Sequence, residues 1–227
     1  MAGVAGSEAD VVMVAGVPAR SIGVELNGLN VRLWGAADLA DFVDVAALLH
    51  DDDPPEPPYW MHLWPGALAL ARVAAAAGDI RPGARVLELG CGLALPAVVA
   101  ARRGAAVVAS DRQRAPLDFV RRSAAANGCQ VDLLQMDWTA AALRGCFDVC
   151  LGADVGYDAG AEQGLVDALA RVTARDGVIW LADSVNTART SLVQALRVAG
   201  FSVQVTQVRE WEEGRPVWVR LIEARSR

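Results

Sequence analysis

A chain of 227 residues, 54% of them hydrophobic, is long enough to bury a core and too apolar to be disordered throughout. Its formal net charge is −6 and its 21 Lys+Arg positions are all arginine, which argues against a nucleic-acid binder, since phosphate neutralisation needs clustered cations. No apolar run approaches the roughly 18–20 residues of a membrane span. Residues 1–20 carry Glu8 and Asp10 without a basic leader, so no secretory signal is read there. The four cysteines, Cys91, Cys129, Cys146 and Cys150, lack CxxC metal spacing and are expected as reduced thiols in a cytoplasmic, metal-free protein.

In chain order, residues 1–20 read as a flexible tail and residues 21–58 as a small cap. Val24–Leu26 and Val31–Leu33 flank an Asn-Gly pair, the signature of a hairpin, and a helical stripe of apolar residues runs over 36–49. The segment DDDPPEPP, 51–58, is a solvated connector; His50 beside it is not read as a metal ligand. The main domain is expected over 59–227 and opens on PYWMHLWPG, 58–66, an aromatic cluster holding His62.

From there helices and strands alternate. Helices are expected near 66–77, 95–103, 114–126, 161–174 and 188–199, with strands at 84–89, 105–110, 131–136, 147–153 and 177–182. Pro96 falls in a first helical turn, where proline is tolerated, and Gly200 follows a helix end. Residues 201–208 and 217–224 alternate apolar and polar around a turn at 210–216. The pattern specifies a mostly parallel sheet with helices on both faces and a C-terminal antiparallel hairpin. Trp180 and Trp218 are expected in the core, and Arg102-Arg103 and Arg121-Arg122 on solvated helix faces.

VLELGCGLAL, 86–95, lies where the first core strand turns into a helix. Gly90 and Gly92 let backbone approach a ligand closely. Asp111, 21 residues beyond Gly90, ends the next strand, where a carboxylate can accept two ribose hydroxyls or cap the following helix. The loop lacks the third glycine of a dinucleotide site, and Glu88 would repel a diphosphate. A carboxylate there suits a cofactor with an ammonium and no phosphate, which favours S-adenosyl-L-methionine over NAD.

LELGCG, SDR (110–112), Asp137-Trp138 and Asp154-Val155-Gly156-Tyr157, with WPG (64–66) and the terminal hairpin, resemble class I methyltransferases. The resemblance is strongest to the family-16 seven-β-strand protein lysine methyltransferases, of the methyltransferase-like protein 21 type, and runs from about Ile22 to the C-terminus. It implies a Rossmann-like seven-stranded fold and S-adenosylmethionine-dependent N-methylation of a protein lysine. It assigns Trp64, Glu88, Gly90, Cys91, Gly92, Asp111, Arg112, Asp137, Trp138 and Ala153 to the cofactor, and Asp154 and Tyr157 to the acceptor mouth. Trp138 is expected against the adenine, with a core position as its alternative. Asp154 is expected to capture and orient the acceptor ammonium, with Tyr157 as second partner.

This chain departs from the pattern at Ala94 and Ala97, where relatives carry glycine, so both methyls are expected to narrow the methionine end of the site. A small metabolite as acceptor, or a binding module that has lost catalysis, remains open on the sequence.

Overall fold

The computed structural model describes residues 4–6, 11–38, 42, 57–140, 143, 147–156, 160–184 and 190–226. The helix expected over 36–49 and most of the 51–58 connector lie outside the described residues. Residues 11–20, expected as tail, instead carry regular structure. Strands β1 (Val4–Gly6), β2 (Val12–Val14), β3 (Val17–Leu26) and β4 (Leu29–Ala36) form an antiparallel sheet in which β3 pairs with the other three. Asn27 and Gly28, with φ of 50° and 83°, make the tight turn that the Asn-Gly pair predicts.

The main body follows as helix α1 (Pro65–Ala76), β5 (Arg85–Leu89), α2 (Leu95–Arg102), β6 (Ala106–Asp111), α3 (Arg114–Ala126) and β7 (Asp132–Gln135). It continues through β8 (Phe147–Ala153), α4 (Glu162–Val172), β9 (Thr173–Ser184), α5 (Thr190–Val198), β10 (Ser202–Glu212) and β11 (Arg215–Arg225). The seven-stranded sheet has the order β10-β11-β9-β8-β5-β6-β7. β11 runs antiparallel to both neighbours and the rest are parallel.

Continuous apolar runs in β5, β8 and β9 fit central strands covered on both faces. Leu68, Leu70, Leu95, Val98, Phe119 and Val120 of α1–α3 pack on one face, and Leu165, Leu169, Leu192 and Leu196 of α4 and α5 on the other. The final hairpin is longer than its sequence reading. Its arms pair up to Glu212 and Arg215, and Glu213 and Gly214 (φ 48° and 76°) supply the turn.

The N-terminal sheet is fastened to α3. The Asn127 side-chain amide accepts from Arg32 N at 3.1 Å and donates to Arg32 O at 2.6 Å, acting as a short strand partner to β4. Trp34 N donates to Ser123 Oγ at 2.9 Å, and Arg122 lies 4.1 Å over the Trp34 ring. The paired arginines are therefore fasteners as well as solvated charges. Arg103 donates to the last carbonyls of α1, Ala74 and Ala77, at 2.8 and 2.7 Å, where a cation also suits the helix dipole. Trp218 corrects its core assignment: it is 49% exposed, with Arg209 stacked 5.0 Å from its ring. Among the described residues no helix is long and apolar enough to cross a membrane.

Candidate functional site

The C-terminal ends of the parallel strands open into one cleft, at the position where doubly wound sheets bind ligands. Its floor is the loop after β5. Gly90, Gly92 and Ala94 take φ of 58°, 48° and 55°, so alternate residues are left-handed and the backbone folds back on itself before α2. At Gly90 the need for glycine is steric as well. A Cβ there would lie 2.9 Å from both Trp138 Cζ3 and Val155 Cγ1.

Two carboxylates hold this loop. Asp111 accepts the Gly92 N–H on Oδ2 at 3.1 Å and the Gln113 N–H on Oδ1 at 2.9 Å. The cap residue of α3 is Gln113, so Asp111 is not the helix cap that the sequence allowed. It ends β6 facing the cleft. Burial raises its pKa against the lowering effect of those amides.

Glu88 is 1% exposed and accepts the Ala97 N–H at 2.8 Å. Burial lifts its pKa from 4.5 to about 8. It is not among the residues lining the cleft, and its bond to Ala97 ties the end of β5 to the first turn of α2. The same bond occupies an amide in the first turn of α2, where a pyrophosphate would otherwise dock. The donor set thus disfavours a dinucleotide for a structural reason.

The walls are aromatic. Trp138 lines the cleft, and its buried Nε1–H has no hydrogen-bond partner among the described residues. Trp64 precedes Pro65 as the cap residue of α1. Its Nε1–H donates to Tyr59 O at 2.8 Å, and its ring meets His62 edge-on at 4.7 Å. His62 Nε2 in turn meets Glu212 Oε1 at 3.2 Å, tying the mouth to the β10–β11 hairpin. Trp60 sits edge-on to Phe119 at 5.2 Å, and its backbone covers Gly92.

Of the residues expected to form the site, Trp64, Gly90, Cys91, Gly92, Asp111, Arg112, Trp138, Ala153 and Asp154 line this cleft. Glu88 and Asp137 do not. Asp137 accepts Thr139 N and Oγ at 2.8 and 2.7 Å, closing a short turn, and these bonds lower its pKa. Tyr157 lies outside the described residues. Ala94 lines the cleft, whereas the Ala97 methyl is fully buried in the core, so only Ala94 bears on the shape of the site.

Asp154 lines the cleft and also has backbone partners that its own stretch of sequence gives no sign of. With φ of 51° it turns out of β8. Its Oδ2 accepts the Gly66 N–H at 3.0 Å and its Oδ1 the Ser184 N–H at 2.8 Å. Burial raises its pKa to about 6, against the lowering effect of these bonds. The sequence reading missed both partners, although the glycine of WPG was their visible trace.

Known proteins agree with this architecture. Residues 86–177 match a family profile described as a methyltransferase domain. The chain is 39% identical over 83 residues to mouse histone-arginine methyltransferase METTL23, covering 35% of this chain and 33% of that one. It is 32% identical over 146 residues to the Xenopus laevis electron transfer flavoprotein beta subunit lysine methyltransferase, covering 62% of this chain and 57% of the relative. The matched segments thus span between a third and three-fifths of these relatives. Among solved structures, a Geobacter metallireducens precorrin-6y C5,15-methyltransferase aligns with a TM-score of 0.59 at 20% identity, covering 70% of this chain and 89% of that one. Synechocystis magnesium protoporphyrin IX methyltransferase, solved with bound S-adenosylmethionine, aligns at 0.58 and 21% identity, over 70% and 78% of the two chains. Strand order and solved neighbours thus give the chain a seven-stranded Rossmann-like fold, and the segment that holds its glycine loop, residues 86–177, is similar to methyltransferase domains.

Proposed function

We propose that the protein is an S-adenosylmethionine-dependent N-methyltransferase whose acceptor is a protein lysine side chain. The observation that carries this reading is the convergence, in one cleft, of the left-handed glycine loop, the Asp111 carboxylate and the rings of Trp64 and Trp138. When bound, the cofactor supplies an electrophilic methyl on a sulfonium. Asp111 has lone pairs for ribose hydroxyls, Trp138 would give the base a flat wall, and the glycine loop would give the cofactor a floor.

Methyl transfer is an in-line displacement, so alignment does most of the work and no covalent nucleophile of the enzyme is needed. A lysine acceptor, with a reference pKa of about 10.4, must first lose a proton. The apolar, aromatic mouth formed by Tyr59, Leu63, Trp64 and Ala67 promotes that loss by desolvation, and solvent takes the proton.

The printed names of the relatives include both lysine and arginine acceptors. A guanidinium fork calls for convergent carboxylate oxygens. Among the described residues lining the cleft, the carboxylates are Asp111, at the ribose end, and Asp154, a single carboxylate that the Gly66 and Ser184 N–H groups hold turned towards the backbone. Lysine is therefore the favoured acceptor. Incubating host lysate with radiolabelled methyl donor and the purified protein tests this: a discrete labelled protein band yielding methyl-lysine on hydrolysis is expected. Methyl-arginine would overturn the choice of lysine, and label confined to small molecules would overturn the protein acceptor.

A further inference from the structure

We infer that Asp154 is a positioning residue that sets Trp64 over the cleft through the start of α1, rather than a group that grips the methyl acceptor. The inference rests on the methyltransferase reading above.

The geometry is that of a three-way brace. The β8–β9 ladder ends with the pair Ala153 and Ala182, and Asp154 N donates to Ala182 O at 2.7 Å. The left-handed turn at Asp154 then brings Oδ1 to the Ser184 N–H, standing in for the next strand carbonyl, while Oδ2 receives the Gly66 N–H. One side chain thus joins the ends of two strands to the first turn of a helix.

Gly66 is shaped to this contact. A Cβ there would lie 2.2 Å from Asp154 Oδ2 and 2.9 Å from Ala182 O, so only glycine allows the approach. The first turn of α1 has no acidic residue, and Trp64 makes no side-chain cap. Asp154 supplies the anion that a helix N-terminus favours. Trp64 lies two residues before Gly66. The brace fixes its backbone, and Tyr59 O and the His62 ring fix its indole.

The arrangement also suits the chemistry. A free carboxylate beside the acceptor would stabilise its ammonium and oppose deprotonation. Turning both oxygens to backbone amides directs the carboxylate away from the acceptor while keeping the mouth in shape.

The test is calorimetric titration with S-adenosylhomocysteine of the unaltered chain, Asp154→Asn, Gly66→Ala, Trp64→Ala and the Asp154→Asn/Trp64→Ala double variant, each checked for folding by thermal melt. Gly66→Ala keeps the carboxylate and its charge but denies it the helix. Loss of about tenfold in affinity is expected for Asp154→Asn and for Gly66→Ala. In the Trp64→Ala background, Asp154→Asn should cost no more than about twofold, because the two residues act as one unit. Unchanged affinity in folded Asp154→Asn, or fully additive losses in the double variant, would overturn the inference. Should Asp154→Asn not fold, Gly66→Ala carries the same comparison. Absence of binding by the unaltered chain would overturn the methyltransferase reading and the inference together.

Discussion

The Gly66 amide and the Asp154 carboxylate meet at 3.0 Å across 88 residues of chain, and no side chain larger than hydrogen fits at position 66 without displacing that carboxylate. Two motifs that stand apart in the sequence, WPG and DVGY, are therefore two halves of one joint. Gly66→Ala should destabilise the fold by about 1–3 kcal/mol through overpacking against a fixed neighbour. Urea unfolding of the two proteins measures this, and equal midpoints would contradict it.

Glu88 predicts an unusual pH dependence. Its folded pKa of about 8 lies above the ordinary 4.5, so the folded state holds a proton that the unfolded state releases. This contribution is fully present below about pH 4.5 and is lost as pH rises towards 8, the reverse of a salt-bridged acid. Glu88→Gln keeps an oxygen for the Ala97 N–H and removes the titration. Its stability relative to the unaltered chain should rise between pH 5 and 8, by on the order of 2–4 kcal/mol at the upper end. Melts at several pH values measure the difference, and a difference flat with pH would contradict the account.

Ala94 holds a left-handed conformation, φ 55°, while 1% exposed at the start of α2. An alanine there costs roughly 1–2 kcal/mol that glycine would not, offset in part by the greater chain entropy of glycine when unfolded. Ala94→Gly should therefore be neutral to stabilising, by up to about 1 kcal/mol. It also removes a methyl from the cleft, so S-adenosylhomocysteine should bind at least as tightly. Weaker binding by a stable variant would mean that the methyl makes a useful contact.

Trp64 and Trp60 should separate cleanly. Trp60 packs on the fully buried Phe119 and covers the Gly92 backbone, so Trp60→Ala should cost about 3 kcal/mol of stability. Trp64, half-buried in the cleft wall, should cost more in cofactor affinity than in folding when replaced by alanine. Paired melts and titrations read the two effects, and the opposite order would remove Trp64 from the binding wall.

Much of this architecture is legible in the sequence because its signals are local. Asn27-Gly28 announces a turn, apolar runs announce β5, β8 and β9, and Gly90, Gly92 and Asp111 sit at the ends of strands. What escaped is long-range. The backbone partners of Glu88 and Asp154 lie on other elements of the fold, so neither acid shows them in the sequence. Only the fold shows that backbone N–H groups of α2, α1 and β9 reach them. The Trp218 ring and the Arg103 guanidinium were likewise decided by which neighbour the fold brought close, a stacked arginine and the end of α1. Strand β2 and the first residues of β3 escaped because they pair with each other and no composition signal marks the pairing.

The central claim, that this cleft holds S-adenosylmethionine, is tested most directly by calorimetric titration of the unaltered protein with S-adenosylmethionine and, separately, with NAD. The account predicts saturable binding of S-adenosylmethionine at one site per chain and none of NAD. No heat of binding with S-adenosylmethionine at high micromolar concentration, or tighter binding of NAD, would contradict it.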